Sequence, residues 1–148
     1  MYRIRVERTV SQPVSVVFEA LSDHQNYAKF PMINESVLLQ PGEPQANGNG
    51  ALRLIRSGNF VVKERIYDVL TDSQICYQIE YSKPIPMGHQ LGKISMEAID
   101  ATHTRVVWIS EGHVSWPVIG WLMDKQIEKN GVRVFHRMLK HIEENGGL

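Results

Sequence analysis

One carboxylate, Glu64, lies where an apolar side chain would be expected. It falls between Val62 and Ile66 in the run VVKERIYDV, whose alternation predicts a strand with these three side chains on one face. A buried carboxylate is costly unless it is paired or protonated. We therefore predict that Glu64 binds a ligand or acts as a general acid/base, with Tyr81 as its catalytic partner. The alternative is a structural glutamate bonded to Tyr81 or to a nearby arginine.

A second group of candidates consists of aromatic and thioether side chains that could contact an aromatic or apolar ligand. Its members are Tyr77, Tyr81, Trp108, Trp116, Met87 and Met123. For these residues the alternative is packing in the protein core. Further cavity contacts are predicted from strand parity, helical spacing or nearness to the mouth; they are Ile79, His89, Ile94, Met96, Ser110, Gly120 and Ile127.

No residues have the spacing of a metal or cofactor site. The six histidines form no HxH or HExxH pair, and no GxSxG elbow, P-loop or dinucleotide fingerprint occurs. The single cysteine, Cys76, excludes an intrachain disulfide and has outward parity on its strand. We therefore expect no metal and no cofactor. His89 and His113 fall near the predicted mouth of the cavity, where either could serve as an acid or base, or lie on the surface.

Composition excludes several classes of protein. The chain has 148 residues, with 16 Lys and Arg against 16 Asp and Glu. A net charge of zero argues against a broad phosphate-binding face, so no nucleic-acid partner is expected. No apolar stretch approaches the roughly 18 residues of a membrane span, so no membrane insertion is expected either. The charged N-terminal sequence is unlike a signal peptide, which favours a cytoplasmic location.

Periodicity predicts the order of the elements. Residues 2–10 alternate as a strand, and two short helices follow over residues 11–21 and 22–30. Six strand-like runs come next, separated mostly by short turns that predict an antiparallel meander; they cover residues 37–40, 51–56, 60–70, 75–81, 91–99 and 105–111. From Ser115 to about Glu144, apolar residues recur at helical spacing, which predicts one long amphipathic helix facing the sheet.

Pairing the strands across these turns predicts the inner face of the sheet. The turn at residues 57–59 sets Leu52 opposite Glu64, and the next turn sets Glu64 near Tyr81. Arg56 shares the inward parity but lies about four residues too far along for a direct pair with Glu64. One inward row is polar and open, and it consists of Glu64, Tyr81, Gly92 and Ser110.

Glycines on both layers suggest where space is left between sheet and helix. Gly92 on the sheet, and Gly120 and Gly131 on the helix stripe, remove side-chain volume, which indicates either a close approach of two backbones or an empty space. We predict an apolar cavity with a polar mouth, the usual design of a small-molecule site. Residues 82–90 are predicted to be a long loop that gates the mouth or is an ordinary connection.

The whole pattern resembles the helix-grip fold of the SRPBCC superfamily, which includes START-related lipid-transfer domains, Bet v 1-type proteins and bacterial polyketide cyclase/dehydrase-like proteins. Besides the opening strand, the resemblance is carried by residues 10–33 (VSQPVSVVFEALSDHQNYAKFPMI), 48–54 (GNGALRL), 61–69 (VVKERIYDV) and 104–108 (TRVVW). It implies one domain over residues 1–148 with an α+β fold. In that fold a seven-stranded antiparallel sheet wraps around a long C-terminal helix.

The resemblance also implies a set of functions, because the cyclase/dehydrase-like branch has no shared catalytic motif. A cyclase or dehydrase acting on a polyketide-type substrate would use Glu64 and Tyr81 to shuttle protons, whereas a carrier of a lipid-like molecule would need only the cavity. The third class is a co-chaperone-like interaction module, which would expose an apolar patch outside the cavity. A second apolar edge on the helix, at Trp121, Val132 and Leu139, could equally support a homodimer, so the chain is expected to be a monomer or a homodimer.

Overall fold

The computed structural model describes residues 1–148 and has the predicted α+β architecture. In chain order the elements are β1 (Tyr2–Val10), α1 (Val14–Ser22), a 3-10 helix (His24–Lys29), β2 (Glu35–Gln40), β3 (Leu52–Ser57), β4 (Phe60–Leu70), β5 (Gln74–Lys83), β6 (Met87–Asp100), β7 (His103–Val114) and α2 (Gly120–Asn145). The strands form one antiparallel sheet in the order β1-β7-β6-β5-β4-β3-β2. None of the helices is both long and apolar enough to cross a bilayer.

The long helix packs on one side of the sheet. Helix α2 contacts β1 and β7, and its Phe135 ring stacks on Trp108 of β7 with the ring centroids 4.1 Å apart. Gly131 lets the helix approach Ile4 of β1, because a Cβ atom at Gly131 would lie 2.9 Å from Ile4 Cγ1. Close approach to Ile4 therefore accounts for Gly131.

Helix α2 is shorter than its periodicity indicates. It begins at Gly120 rather than near Ser115, because β7 continues to Val114 and a turn follows. At its other end Gly146 adopts the left-handed conformation and donates its N–H to the Ile142 carbonyl, as expected for a helix C-cap.

The register between β3 and β4 differs by one residue from the prediction. Ser57 pairs with Phe60, so the turn contains only Gly58 and Asn59, and Arg53 rather than Leu52 lies opposite Glu64. A slip of one residue moves every side chain of a strand to the other face. Arg53 therefore lies on the inner face of the sheet, and Arg56 lies on the outer face, where it bonds Glu35.

A bulge in β5 corrects the position of Tyr81. Glu64 pairs with Ile79 while the preceding residue, Lys63, pairs with Tyr81, so Glu80 is the extra residue. The Lys63 ammonium lies 5.1 Å from the Tyr81 ring centroid on the outer face, and Tyr81 is 45% exposed. The prediction that Tyr81 faces the cavity beside Glu64 is wrong.

The β5–β6 connection is also tighter than expected. Because β6 begins at Met87, only Pro84–Pro86 lie outside the strands, and Tyr77 pairs with Gly92. The predicted pairing of Gly92 with Ser110 is confirmed. The Tyr77 ring covers Gly92, where a Cβ atom would lie 2.5 Å from the ring.

We predict that Gly92→Ala lowers the free energy of unfolding by about 1–3 kcal/mol, because the added methyl group displaces the buried Tyr77 ring. Gly131→Ala is the matched variant. Its methyl group meets the end of the Ile4 side chain, which can rotate, and alanine favours a helix over glycine by about 1 kcal/mol. Urea unfolding of both variants should show the larger loss for Gly92→Ala; the reverse order would contradict this account.

Candidate functional site

A cavity of about 550 Å³ lies between the sheet and α2. It exists because α2 has its main contacts with β1 and β7 rather than with β3, β4 and β5. Of its 24 lining residues 16 are hydrophobic, and this combination of size and lining is typical of a small-molecule site. Its apolar wall includes Ile33, Ile55, Phe60, Val62, Ile79, Ile85, Met87, Ile127, Val134 and Phe135.

A buried ion pair lies in this apolar wall. Both Nε and Nη2 of Arg53 lie 2.6 Å from Oε2 of Glu64, and the two side chains are 2% and 10% exposed. The negative charge of Glu64 is thus balanced by a neighbouring guanidinium. This is the alternative in which Glu64 is a structural residue bonded to a nearby arginine. Burial by itself would lower the pKa of Arg53, but the charge of Glu64 reverses this effect and leaves the pKa raised.

His24 and Tyr27 surround the other side of the guanidinium. Arg53 Nη1 donates to His24 Nδ1 at 3.0 Å, and His24 Nε2 donates to the Asn47 carbonyl at 3.1 Å, so the imidazole is neutral with its proton on Nε2. The Tyr27 ring lies 4.4 Å from the guanidinium carbon. Burial, with a smaller effect from the charge of Arg53, lowers the pKa of His24 to about 3.

One oxygen of Glu64 has no protein partner. Both bonds from Arg53 go to Oε2, and Oε1 accepts none. Oε1 is nevertheless accessible, because it is not one of the buried side-chain atoms that lack a hydrogen-bond partner. Because Glu64 lines the cavity, Oε1 faces its interior as a hydrogen-bond acceptor.

Two hydroxyl groups supply the complementary donors. Trp108 Nε1 donates to the Tyr77 hydroxyl oxygen at 2.9 Å, so the proton of that hydroxyl group stays available to another acceptor. Ser110 Oγ lies 3.1 Å from Nε2 of His89. Both Tyr77 and Ser110 line the cavity. Burial raises the pKa of Tyr77, and it raises the pKa of Tyr2, which also lines the cavity, to about 12. These phenols are therefore donors at neutral pH.

The serine–histidine contact does not have the geometry of an activated nucleophile. The backbone N–H of Ile79 donates to Nδ1 of His89 at 3.1 Å, which places the imidazole proton on Nε2 and directs it toward Ser110. A general base would need Nε2 free to accept the serine proton. Burial lowers the pKa of His89 to about 4, so this neutral tautomer donates to Ser110.

Comparison with known proteins identifies the family of the chain. The sequence model of the family described as "Polyketide cyclase / dehydrase and lipid transport" matches residues 1–146. The chain belongs to this family. No curated protein matches it.

Three solved structures illustrate the similarity of this polyketide cyclase/dehydrase family member to proteins of different description. A START superfamily protein from Mycobacterium smegmatis has a TM-score of 0.79 and 13% identity over 97% of this chain and 98% of its own. The ZhuI aromatase/cyclase from a Streptomyces species has a TM-score of 0.76 and 19% identity, with 99% and 98% covered. The Aha1 dimer from Colwellia psychrerythraea has a TM-score of 0.71 and 14% identity, with 99% and 100% covered.

The structure brings half of the predicted site residues to the cavity of this family member. Those on its wall are Glu64, Tyr77, Ile79, Met87, Trp108, Ser110 and Ile127. His89 lies directly behind the wall, buried and stacked on Tyr77, and is not a surface histidine. The chain has no group of three or more His, Cys, Asp or Glu side chains placed to hold a metal ion.

The remaining predicted contacts lie elsewhere. Ile94 and Met96 are in the core beside the cavity, because the β5–β6 register moves them away from it. Trp116, Gly120 and Met123 lie outside its lining, since α2 starts later than predicted. Tyr81 faces outward, as described above.

Arg53 is the main residue that the sequence reasoning missed. The sequence did contain a signal for its position, because Gly58-Asn59 is typical of a two-residue hairpin turn. A two-residue turn there places Arg53 opposite Glu64. Phe135 and Tyr27 also lie on the cavity wall, but their positions depend on how the helices pack.

Breaking the ion pair should be more damaging than replacing it. We predict that Arg53→Met or Glu64→Leu alone lowers the free energy of unfolding by about 3–5 kcal/mol, because a buried charge is left unpaired. The double variant Arg53→Met/Glu64→Leu should lose less than the sum of two such single changes, because no charge remains. Urea unfolding measures all three variants, and losses that simply add would contradict a direct coupling.

The two buried histidines predict how stability depends on pH. Their folded-state pKa values, about 3 and about 4, lie below the ordinary histidine value, so the unfolded chain binds protons that the folded chain does not. Stability should therefore fall as pH decreases from about 7 toward 4, by up to about 1.4 kcal/mol per pH unit for each histidine. His89→Gln should reduce this slope, whereas the exposed His113→Gln should leave it unchanged; equal slopes for His89→Gln and the parent would refute the assignment.

Proposed function

We propose that the protein binds a small amphipathic molecule in the cavity between its sheet and α2. The apolar body of the ligand would fill the space beside Val134 and Phe60, and its oxygen atoms would bind the polar groups of the wall. The observation that carries the proposal is the partnerless Oε1 of Glu64, which faces this apolar space. Oε1 accepts no bond within the protein, so a hydrogen-bond donor of a ligand would satisfy it.

The polar groups suggest the chemical class of the ligand. Oε1 of Glu64 accepts a hydrogen bond, while the Tyr77 and Ser110 hydroxyl groups can each donate one. A ligand with a hydroxyl group and a carbonyl group on an apolar or aromatic frame satisfies both kinds of site. Polyketide-type molecules have both groups on such a frame, and the family description supports a ligand of this class.

A cyclase or dehydrase reaction is the second candidate, because an acceptor and two donors share one cavity. Glu64 would take a proton from carbon or oxygen while Tyr77 or Ser110 stabilises the developing oxyanion. Tyr77 thus replaces Tyr81 as the proposed partner, since Tyr81 faces outward. The ion pair with Arg53 favours binding as the first candidate, because the guanidinium already engages one oxygen of the carboxylate that the reaction would use as a base.

Ligand binding can be tested with a variant that fills the cavity. Val134→Trp places an indole in the open space and should weaken binding at least about tenfold, or about 1.4 kcal/mol. Val37→Trp adds the same ring at an exposed site of β2 and is the matched control. Binding is measured by fluorescence titration with an apolar naphthalene probe, then by its displacement with fatty acids and aromatic polyketides. Native mass spectrometry would identify a co-purified ligand.

The outcomes separate the two candidates. No bound species, no probe binding and no thermal shift across the ligand panel would overturn the binding proposal. Product formation that Tyr77→Phe or Ser110→Ala reduces, while probe affinity is kept, would establish the catalytic candidate. Equal probe affinity of a folded Val134→Trp variant would place the ligand outside this cavity.

A further inference from the structure

Five large apolar side chains are exposed together at one end of the molecule. We call them the apolar tip: Trp116, Val118, Ile119, Trp121 and Leu122. Val118 is 88% exposed, Trp121 61% and Leu122 54%. The tip spans the turn after β7 and the first residues of α2. Exposed apolar side chains are common singly, but a contiguous group marks an interaction surface.

The backbone holds the apolar tip in place. Ser115 N–H donates to the Pro86 carbonyl at 2.9 Å, and Ile119 N–H donates to the Pro117 carbonyl at 2.8 Å across Val118. Val118 has a φ of +68°, which a β-branched residue adopts only under strain. Such strain persists where the surrounding structure imposes it, and it clusters at functional sites. Here it directs an apolar side chain into solvent.

A row of cations continues from the apolar tip along α2. This basic row consists of Lys125, Lys129, Arg133 and Arg137, all exposed and spaced four residues apart on one side of the helix. None of the four forms an ion pair. Like charges at this spacing repel one another, so the row does not stabilise the helix. It concentrates positive charge on one face of a chain whose net charge is zero.

We propose that the apolar tip and the basic row dock the protein on the surface of an anionic lipid bilayer. Two tryptophans beside aliphatic side chains suit the boundary between headgroups and acyl chains, and lysines and arginines suit anionic headgroups. The Lys125 ammonium already lies 5.3 Å from the Trp121 ring centroid, so both kinds of contact occur within one turn.

Docking in this way would bring the bilayer to the cavity. Arg133 and Arg137 belong both to the basic row and to the cavity lining. Ile85 of the lining precedes Pro86, whose carbonyl holds Ser115 at the base of the apolar tip. A bilayer on this surface would therefore lie across one edge of the cavity. The docking itself does not depend on the ligand proposed above.

The test is sedimentation of the full chain with vesicles. Vesicles of phosphatidylcholine and phosphatidylglycerol should bind it at least tenfold more tightly than vesicles of phosphatidylcholine alone, and high salt should weaken binding. Trp116 and Trp121 should show blue-shifted fluorescence on binding. Trp121→Ser/Leu122→Ser and Lys125→Gln/Lys129→Gln should each reduce binding at least tenfold. These four residues lie outside the cavity lining, so both variants should keep the affinity for the apolar probe.

Matched controls and contrary outcomes complete the design. Leu70→Ser/Ile99→Ser removes two exposed apolar side chains from the opposite end of the sheet, and Lys29→Gln/Lys140→Gln removes two exposed charges elsewhere. Both controls should bind vesicles as the parent does. The proposal is overturned if the parent does not bind anionic vesicles, or if the tip variants bind as well as the parent. It is also overturned if the tip variants only convert a dimer to a monomer. Loss of probe binding with vesicle binding intact would affect only the proposed ligand.

Discussion

Helix α2 packs on β1 and β7 instead of the middle of the sheet, and the other features of the molecule depend on this contact. The Trp108–Phe135 stack and the close approach of Gly131 to Ile4 set the position of the helix. A helix centred over the sheet would fill the space above β3, β4 and β5 with side chains. The off-centre position instead leaves a cavity whose far wall is the sheet itself.

The polar groups of that wall are arranged for hydrogen bonding more than for nucleophilic chemistry. Arg53 has a partner for its charge in Glu64 and a neutral acceptor in His24, so the charge of the guanidinium is balanced within the protein. His89 is held as a donor by the N–H of Ile79. The groups left for a ligand include one carboxylate oxygen and the hydroxyl protons of Tyr77 and Ser110. A short list of oriented groups in an apolar space gives selectivity for a ligand, and the ligand would supply most of its binding energy by burial.

The family and the neighbouring structures fit this arrangement without deciding the chemistry. Proteins described as a START superfamily protein, an aromatase/cyclase and the Aha1 dimer share the fold with this chain at 13–19% identity. One fold therefore carries proteins of different description, and function must be argued from the site. In this chain the distinguishing features are the Arg53–Glu64 pair inside the cavity and the apolar tip with its basic row outside it.

Alternation and helical spacing in the sequence determined the α+β architecture, the seven strands and the inward position of Glu64, because periods of two and of 3.6 residues follow from local backbone geometry. They also indicated Trp108 and Ser110 as inward residues. Register was harder, because a two-residue turn in place of three and one bulge at Glu80 each reverse the face of a strand. Only the tertiary structure therefore paired Arg53 with Glu64 and turned Tyr81 outward. It alone also showed that the helix begins at Gly120 and leaves the apolar tip in solvent, since that depends on packing between elements far apart in the chain.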